Sequence, residues 1–217
     1  MDCMDAMRQM DENEFELAIC DPPYGIRMNA NMGIKKGQRK RHDRRVDWDN
    51  NIPDVEYFEL LKRVSVNQII WGGNYFPLGP SRHVIWWEKE TPDGMSFSSG
   101  ELAWTSFERA NKSYRKHNVT GDKIHPTQKP VSLYKWLLVN YAFPGDRILD
   151  THLGSGTSRI AAHELGFDFT GFEIDTAHFR NHERYFIQHV RQLKAFQPNE
   201  MYAKPNDERI DPLLFDL

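Results

Sequence analysis

Asp21-Pro22-Pro23-Tyr24 follows directly on a short apolar run, Phe15-Glu16-Leu17-Ala18-Ile19-Cys20. Two prolines fix φ and remove two N–H donors. The carbonyls of the turn are left as acceptors beside the Asp21 carboxylate, and Tyr24 adds a flat face. That set suits an exocyclic amino group, whose lone pair is delocalised into its ring and is a poor nucleophile. Two acceptors, Asp21 and the Pro22 carbonyl, would grip its hydrogens, favour a pyramidal nitrogen and free the lone pair. An aromatic ring can stack on a base that has left its helix. Against an already activated electrophile, orientation and charge stabilisation can do most of the work. Taken alone, the tetrapeptide is equally a surface turn.

A second set lies downstream. Asp150-Thr151-His152-Leu153-Gly154-Ser155-Gly156-Thr157 joins a strand-like run to a helix-like one. Its glycines let the backbone turn tightly and approach a ligand, and the helix start beyond offers free N–H groups. Glu173 ends the next apolar run, where an acid commonly accepts hydrogen bonds from both ribose hydroxyls. The dinucleotide fingerprint needs a third glycine where this chain has Arg159, and a phosphate-cradling loop needs a Gly-Lys-Ser/Thr ending that is absent. NAD, FAD and ATP are disfavoured. The remaining common choice is S-adenosylmethionine, which carries a ribose and no phosphates. A plain Gly-rich turn is the competing reading of this stretch by itself.

These groups need elements to hold them. Strands are predicted over residues 15–20, 68–71, 83–87, 101–105, 147–150 and 169–173, and helices over 54–63, 130–141, 158–165 and 176 to about 196. Val55, Phe58 and Leu61, with Leu60 close by, mark one face of the first helix. Pro130 sits well in a helical first turn. Strands alternating with helices, above all in the last third, predict an α/β fold, a mainly parallel sheet covered on both faces. In such sheets ligands bind at the carboxyl ends of the strands. Residues 25–51 lack usable periodicity and read as a long loop, mobile or ordered by a ligand. Residues 106–123 are polar and basic, and the tail after Pro198 is expected to be extended. With no repeat and no clear linker, residues 1–217 read as a single domain.

The 217 residues suffice for a substantial core. Hydrophobic residues at 39% and charged residues at 27% are ordinary for a soluble chain. No long apolar run suggests a membrane span, and no leader is apparent. Cys3 and Cys20 form no Cys-x-x-Cys pair and lack ordered histidine partners, so no metal is expected, and a reducing cytoplasm fits. The net charge of −3 does not advertise a polyanion partner. Its distribution matters more: Lys35, Lys36, Arg39, Lys40, Arg41, Arg44 and Arg45 cluster in the long loop, a footprint for nucleic acid or a solvated surface.

The motifs become specific in combination. Asp21-Pro22-Pro23-Tyr24, His125-Pro126-Thr127-Gln128-Lys129-Pro130, Leu153-Gly154-Ser155-Gly156-Thr157 and Gly171-Phe172-Glu173-Ile174-Asp175 occur in that order. The chain thereby resembles the amino-methylating DNA methyltransferases of the permuted β group, and the small phage or orphan members in particular. Ile70-Trp71-Gly72-Gly73-Asn74-Tyr75-Phe76 and Glu101-Leu102-Ala103-Trp104-Thr105 are also similar to segments found there. The resemblance implies a Rossmann-like S-adenosylmethionine-dependent methyltransferase fold with a twisted sheet. It implies that Asp21, the Pro22 carbonyl and Tyr24 hold a flipped base. Thr127, Gln128 and Lys129, with His125 beside them, would surround the methionine end of the cofactor, Lys129 meeting its carboxylate. Asp150, Gly154, Ser155, Gly156 and Thr157 would shape the central pocket. Glu173, next to Ile174, would take the ribose. Asp2-Cys3 resembles a Gly-Asp-Cys element whose Asp binds the cofactor's adenine amine.

Two departures stand out. Met1 replaces the usual glycine, without the strand that normally leads into it, and Thr151-His152 stands where Pro-Phe is common. His152 is expected to be a packing residue, since the chemistry needs no strong base.

An Asp-led motif implies adenine N6 by family habit, with cytosine N4 the alternative. An RNA or protein amino methyltransferase more often begins the motif with Asn, and a non-catalytic decoy would not need Asp21, Tyr24, Gly154 and Glu173 together. The implied partner is double-stranded DNA, read by a small recognition insert at about 91–123 with the basic loop 25–51 closing over it; phosphate contacts from its Arg and Lys position rather than specify. A short target sequence follows. The location implied is the cytoplasm of a bacterial cell or phage-infected host, with or without a paired restriction enzyme. Members of the group often pair as homodimers, which the sequence does not decide. The apolar cluster Ile210-Asp211-Pro212-Leu213-Leu214-Phe215 is expected to pack on its own domain; docking on a sliding clamp is the weaker reading.

Overall fold

The computed structural model describes residues 1–26, 49–90, 98–117 and 127–196. The long basic loop beyond Ile26, His125 and the C-terminal tail lie outside the described residues. So do residues 91–97 and 118–123 of the expected recognition insert.

Strand β1 (Phe15–Cys20) is buried along almost its whole length, as a run apolar on both faces demands. Its alternation divides the core. Leu17 and Ile19 join a cluster on one face of the sheet, while Ala18 and Cys20 join a second cluster on the other; Phe15, at the start of the strand, packs with the second cluster although it does not share its alternation. Strand β2 (Ser65–Trp71) continues the division, with Ile69 and Trp71 on the first side and Ile70 on the second. Helix α2 (Val55–Val64) presents Tyr57, Phe58, Leu61 and Val64 to the second cluster, and helix α1 (Cys3–Gln9) adds Met7. On the opposite face lie α3 (Val131–Tyr141), through Leu133, Leu137 and Leu138, and α4 (Thr157–Leu165), through Ala161 and Ala162.

The remaining strands are β3 (Val84–Glu88), β4 (Gly100–Thr105), β5 (Lys112–Arg115), β6 (Arg147–Asp150) and β7 (Asp168–Gly171), and α5 (Thr176–Phe196) ends the described chain. The sheet order is β5-β3-β4-β2-β1-β6-β7. β1 pairs in parallel with β2 and β6, β6 with β7, and β3 with β5. β4 runs antiparallel to both β2 and β3. The fold is therefore the predicted mainly parallel α/β sheet with helices on both faces.

Topology selects the site. From β1 the chain crosses through α2 to β2 on one side; from β6 it crosses through α4 to β7 on the other. The connections diverge between β1 and β6, which makes that gap the switch point where such sheets bind ligands. Asp21 follows β1 and Thr151 follows β6 at this gap.

Some elements were not anticipated. α1 is short, and its Asp2 cap accepts a 2.8 Å hydrogen bond from the Met4 amide. β5 lies in the basic stretch, where Lys112 to Arg115 alternate half-buried and exposed. With β4 it puts part of the range 91–123 into the main sheet. β7 stops at Gly171, short of the predicted Glu173. The Phe172 N–H still donates to the Asp150 carbonyl at 2.9 Å, closing the ladder, but its carbonyl turns to the cofactor-type loop and accepts from the Leu153 amide at 2.8 Å.

Candidate active site

A cleft of about 690 Å³ opens at the β1/β6 switch point. One wall carries Asp21 and Pro23, another carries Thr127, Gln128 and Lys129, and the floor is Thr151 to Ser155 with Thr157. Met1 to Met4 and Phe172 to Asp175 close the far end. Of the residues singled out in the sequence, Asp2, Cys3, Asp21, Thr127, Gln128, Lys129, Gly154, Ser155, Thr157, Glu173 and Ile174 line this one cleft. Pro22 is buried. Asp150 and Gly156 stand behind the floor and shape it.

Asp150 is fully buried and organises the loop. Its Oδ1 accepts from the His152 amide at 3.0 Å and its Oδ2 from the Ser158 hydroxyl at 2.5 Å. Burial raises its proton affinity more than these donors lower it, to a pKa of about 7. Gly156 caps α4 in the left-handed region at φ 72°, and a Cβ there would lie 3.2 Å from the His182 ring. Glu173 ties two loops together: Oε2 accepts from the Gly154 amide and Oε1 from the Asp175 amide, both at 2.9 Å. Two lone-pair positions on that carboxylate remain for a ligand's hydroxyls. His152 packs edge-on against Tyr57, its Nδ1 3.0 Å from the Thr151 hydroxyl. Burial lowers its pKa to about 4.

The Asp-Pro-Pro-Tyr turn is held by a residue the sequence did not flag. Asp49 is buried, and its Oδ1 accepts from the Tyr24 amide at 2.9 Å and the Gly25 amide at 3.0 Å. Tyr24 donates its hydroxyl proton to Asp21 Oδ1 at 2.6 Å. Burial, followed by the nearby Asp21 and Glu101 charges, pushes the Tyr24 pKa well up, so it stays a neutral donor. Its ring stacks on Tyr75 with centroids 5.2 Å apart at 14°, and meets Phe76 edge-on.

Lys129 is 3% exposed. Its ammonium lies 2.6 Å from Asp21 Oδ2 and 2.9 Å from Glu101 Oε2, so it engages two protein carboxylates where the sequence pointed it at a ligand's. Lys89 pairs with the other Glu101 oxygen. Burial alone would lower the Lys129 pKa, but Asp21 and Glu101 outweigh it and the net shift is upward. Burial likewise opposes ionisation of Glu101, yet Lys129 and Lys89 hold it near 2. Glu101 and Lys89 escaped sequence reasoning. The one available signal was a charged residue opening an apolar, alternating strand.

The cleft has a definite ligand preference. Five carboxylates line it, Asp2, Asp21, Asp54, Glu173 and Asp175, against one Lys and no Arg among the described residues. Such a lining repels polyphosphates and suits a cationic group attached to a hydroxylated sugar. No group of three or more His, Cys, Asp or Glu is placed to hold a metal among the described residues.

Comparison with known proteins identifies the family. The DNA methylase model of the N6/N4 methyltransferases matches residues 70–184, slightly more than half the chain. The protein belongs to this family of amino-methylating DNA methyltransferases. Among its relatives, the type II methyltransferase M.HinfI of Haemophilus influenzae is 22% identical, over 95% of this chain and 69% of its own. The type II methyltransferase M2.MboI of Moraxella bovis is 25% identical, over 79% of this chain and 80% of its own. In fold, the crystal structure of the M1.HpyAVI–SAM complex superposes with a TM-score of 0.58 at 17% identity, covering 85% of this chain and 96% of that one.

Proposed function

We propose that the protein transfers a methyl group from S-adenosylmethionine to the N6 amino group of adenine in duplex DNA, acting on a base turned out of the stack. The observation that carries this reading is that Asp21 and Glu173 open onto one acid-lined cleft at the switch point. When bound, S-adenosylmethionine supplies a methyl group already activated on a sulfonium.

Everything else falls to the chain's own residues. Glu173 accepts from the ribose hydroxyls with the lone pairs its two backbone donors leave free. Gln128, Thr127 and the loop 151–157 line the rest of the cofactor's space, and Asp2 meets its adenine end. Asp21 accepts one amino hydrogen and the Pro22 carbonyl the other, which frees the nitrogen lone pair. Tyr24 orients the Asp21 carboxylate through its hydroxyl, and the Tyr24–Tyr75 pair offers an aromatic wall for the extruded base. The basic residues 35–45 contact phosphates. His125 stays with the cofactor's methionine end in this reading, on sequence grounds alone.

The same acceptors suit cytosine N4, which is the alternative reading. The test is to incubate the protein with labelled S-adenosylmethionine and varied duplexes, then identify the methylated nucleoside by mass spectrometry. N6-methyladenine is expected. N4-methylcytosine would replace adenine as the target, and no label in any DNA would overturn the reading.

A further inference from the structure

Glu101 does not line the cleft, yet it is joined to the proposed catalytic carboxylate through a buried chain of charges. In order of contact the chain is Lys89, Glu101, Lys129, Asp21, with each ion in contact with the next. The Lys129, Lys89, Asp21 and Glu101 side chains are only 2%, 11%, 14% and 21% exposed. Two cations balance two anions, which a low-dielectric site requires.

The antiparallel strand makes this chain reachable. β4 runs against its neighbours, so its first residues lie at the edge where the parallel strands end. Gly100 pairs with Glu88, the last residue of β3, and the Lys89 amide then donates to the Ser99 carbonyl at 2.8 Å. Glu101 and Lys89 are thereby brought to the carboxyl edge of the sheet, beside Asp21. A parallel strand in the same place would send its first residues to the opposite edge.

Both oxygens of Asp21 already receive a donor, Tyr24 at Oδ1 and Lys129 at Oδ2. An ammonium given wholly to Asp21 would compete with a substrate's amino hydrogens. Glu101 takes a share of that ammonium at 2.9 Å, and its Oε2 also lies 3.4 Å from the Tyr24 hydroxyl. It therefore touches both groups that orient Asp21.

We propose that Glu101 is a positioning residue for methyl transfer: anchored by Lys89, it draws Lys129 off full engagement with Asp21 and keeps that carboxylate oriented toward the substrate's amino group. This rests on the reading of Asp21 as the amino-group acceptor. Lys89 acts only through Glu101.

Glu101→Gln keeps the shape and deletes the charge. Single-turnover methyl transfer is expected to fall about 10²-fold, the scale of a misplaced catalytic group. Cofactor Kd by calorimetry should stay within about threefold, because Glu101 does not line the cleft. The melting temperature should fall, since the variant leaves buried Lys89 and Lys129 with one anion between them, and transfer is therefore read at a temperature where the variant is fully folded. Lys89→Met is expected to slow transfer about tenfold in the wild-type background and to have no further effect in Glu101→Gln, as expected of residues acting in series. A wild-type rate in Glu101→Gln, a rate loss fully accounted for by weaker cofactor binding or by unfolded protein at the assay temperature, or equal Lys89→Met effects in both backgrounds would each overturn the proposal while wild type remains active. A wild-type protein that methylates no DNA would instead overturn the reading it rests on, and the proposal with it.

Discussion

The ring of Tyr24 lies against the backbone of Gly72, so closely that a Cβ on Gly72 would sit 2.3 Å from Tyr24 Cε1. Gly72 also has φ 71°, a conformation that side chains rarely adopt. The loop after β2 is thus a mould for the Asp-Pro-Pro-Tyr turn after β1. Gly72→Ala is expected to destabilise the fold by about 1–3 kcal/mol through strain and clash. It should also lower methyl transfer by displacing Tyr24 from Asp21. Chemical denaturation and a transfer assay measure the two effects, and unchanged values for both would show that Tyr24 does not depend on Gly72.

Asp21→Asn exchanges one acceptor oxygen for an NH₂ group at nearly constant volume. Loss of a positioned electrostatic group at a reacting centre commonly costs about 10²–10³ in rate, and a loss of that size is expected. Lys129 retains Glu101 as a partner, so the cleft should still bind cofactor. Full activity in Asp21→Asn, read by tritium transfer to DNA, would remove Asp21 from the chemistry.

Glu173→Gln acts at the other end of the cleft. Each Glu173 oxygen accepts one backbone amide, so the variant points an NH₂ group at either Gly154 or Asp175. Losing a charged acceptor to the ribose costs about 1.5–3 kcal/mol, roughly 10- to 100-fold in Kd. Calorimetry with S-adenosylmethionine should show that weakening, alongside a modest drop in melting temperature from the loop hydrogen bond that the NH₂ group breaks. Unaltered affinity would argue against ribose binding at Glu173.

Asp150 and His152 are neighbours that oppose each other in pH. Asp150 has a folded pKa of about 7, above its unfolded value, so its contribution to stability is full below about 4 and is lost as pH rises toward 7. His152 has a folded pKa of about 4, below its unfolded value near 6.5, so stability is lost as pH falls through that window. Between pH 5 and pH 7.5 the two partly cancel. His152→Phe should raise stability at pH 5 relative to pH 7.5, and Asp150→Asn should lower it. Melting curves at the two pH values give the sign directly. A change in the same direction for both variants would refute the assignment.

Much was legible in the residues because it is local. The apolar run before Asp21, Asp54 ahead of α2, Pro130 opening α3 and the glycines after Asp150 carry their reasons within a few positions. The four ordered motifs likewise named the family. β5 was missed because Lys112, Ser113, Tyr114 and Arg115 have little intrinsic strand signal; pairing with β3 makes them a strand. β7 ends before its apolar run does because nothing local says that the Phe172 carbonyl will bond across to Leu153 in the loop after β6.

What the sequence determined by itself was therefore the kind of chemistry: acceptors on one turn, a nucleoside loop on another, and the order in which they occur. Only the tertiary structure decided which charges meet. Lys129 is 108 residues from Asp21 and 28 from Glu101 in the chain, and no local rule brings them together. Contact follows from the switch point between β1 and β6 and from the reversed direction of β4, properties of the sheet as a whole. Strand direction and order are settled by long-range packing, and that is why the ionic chain behind Asp21 could be seen only in the folded molecule.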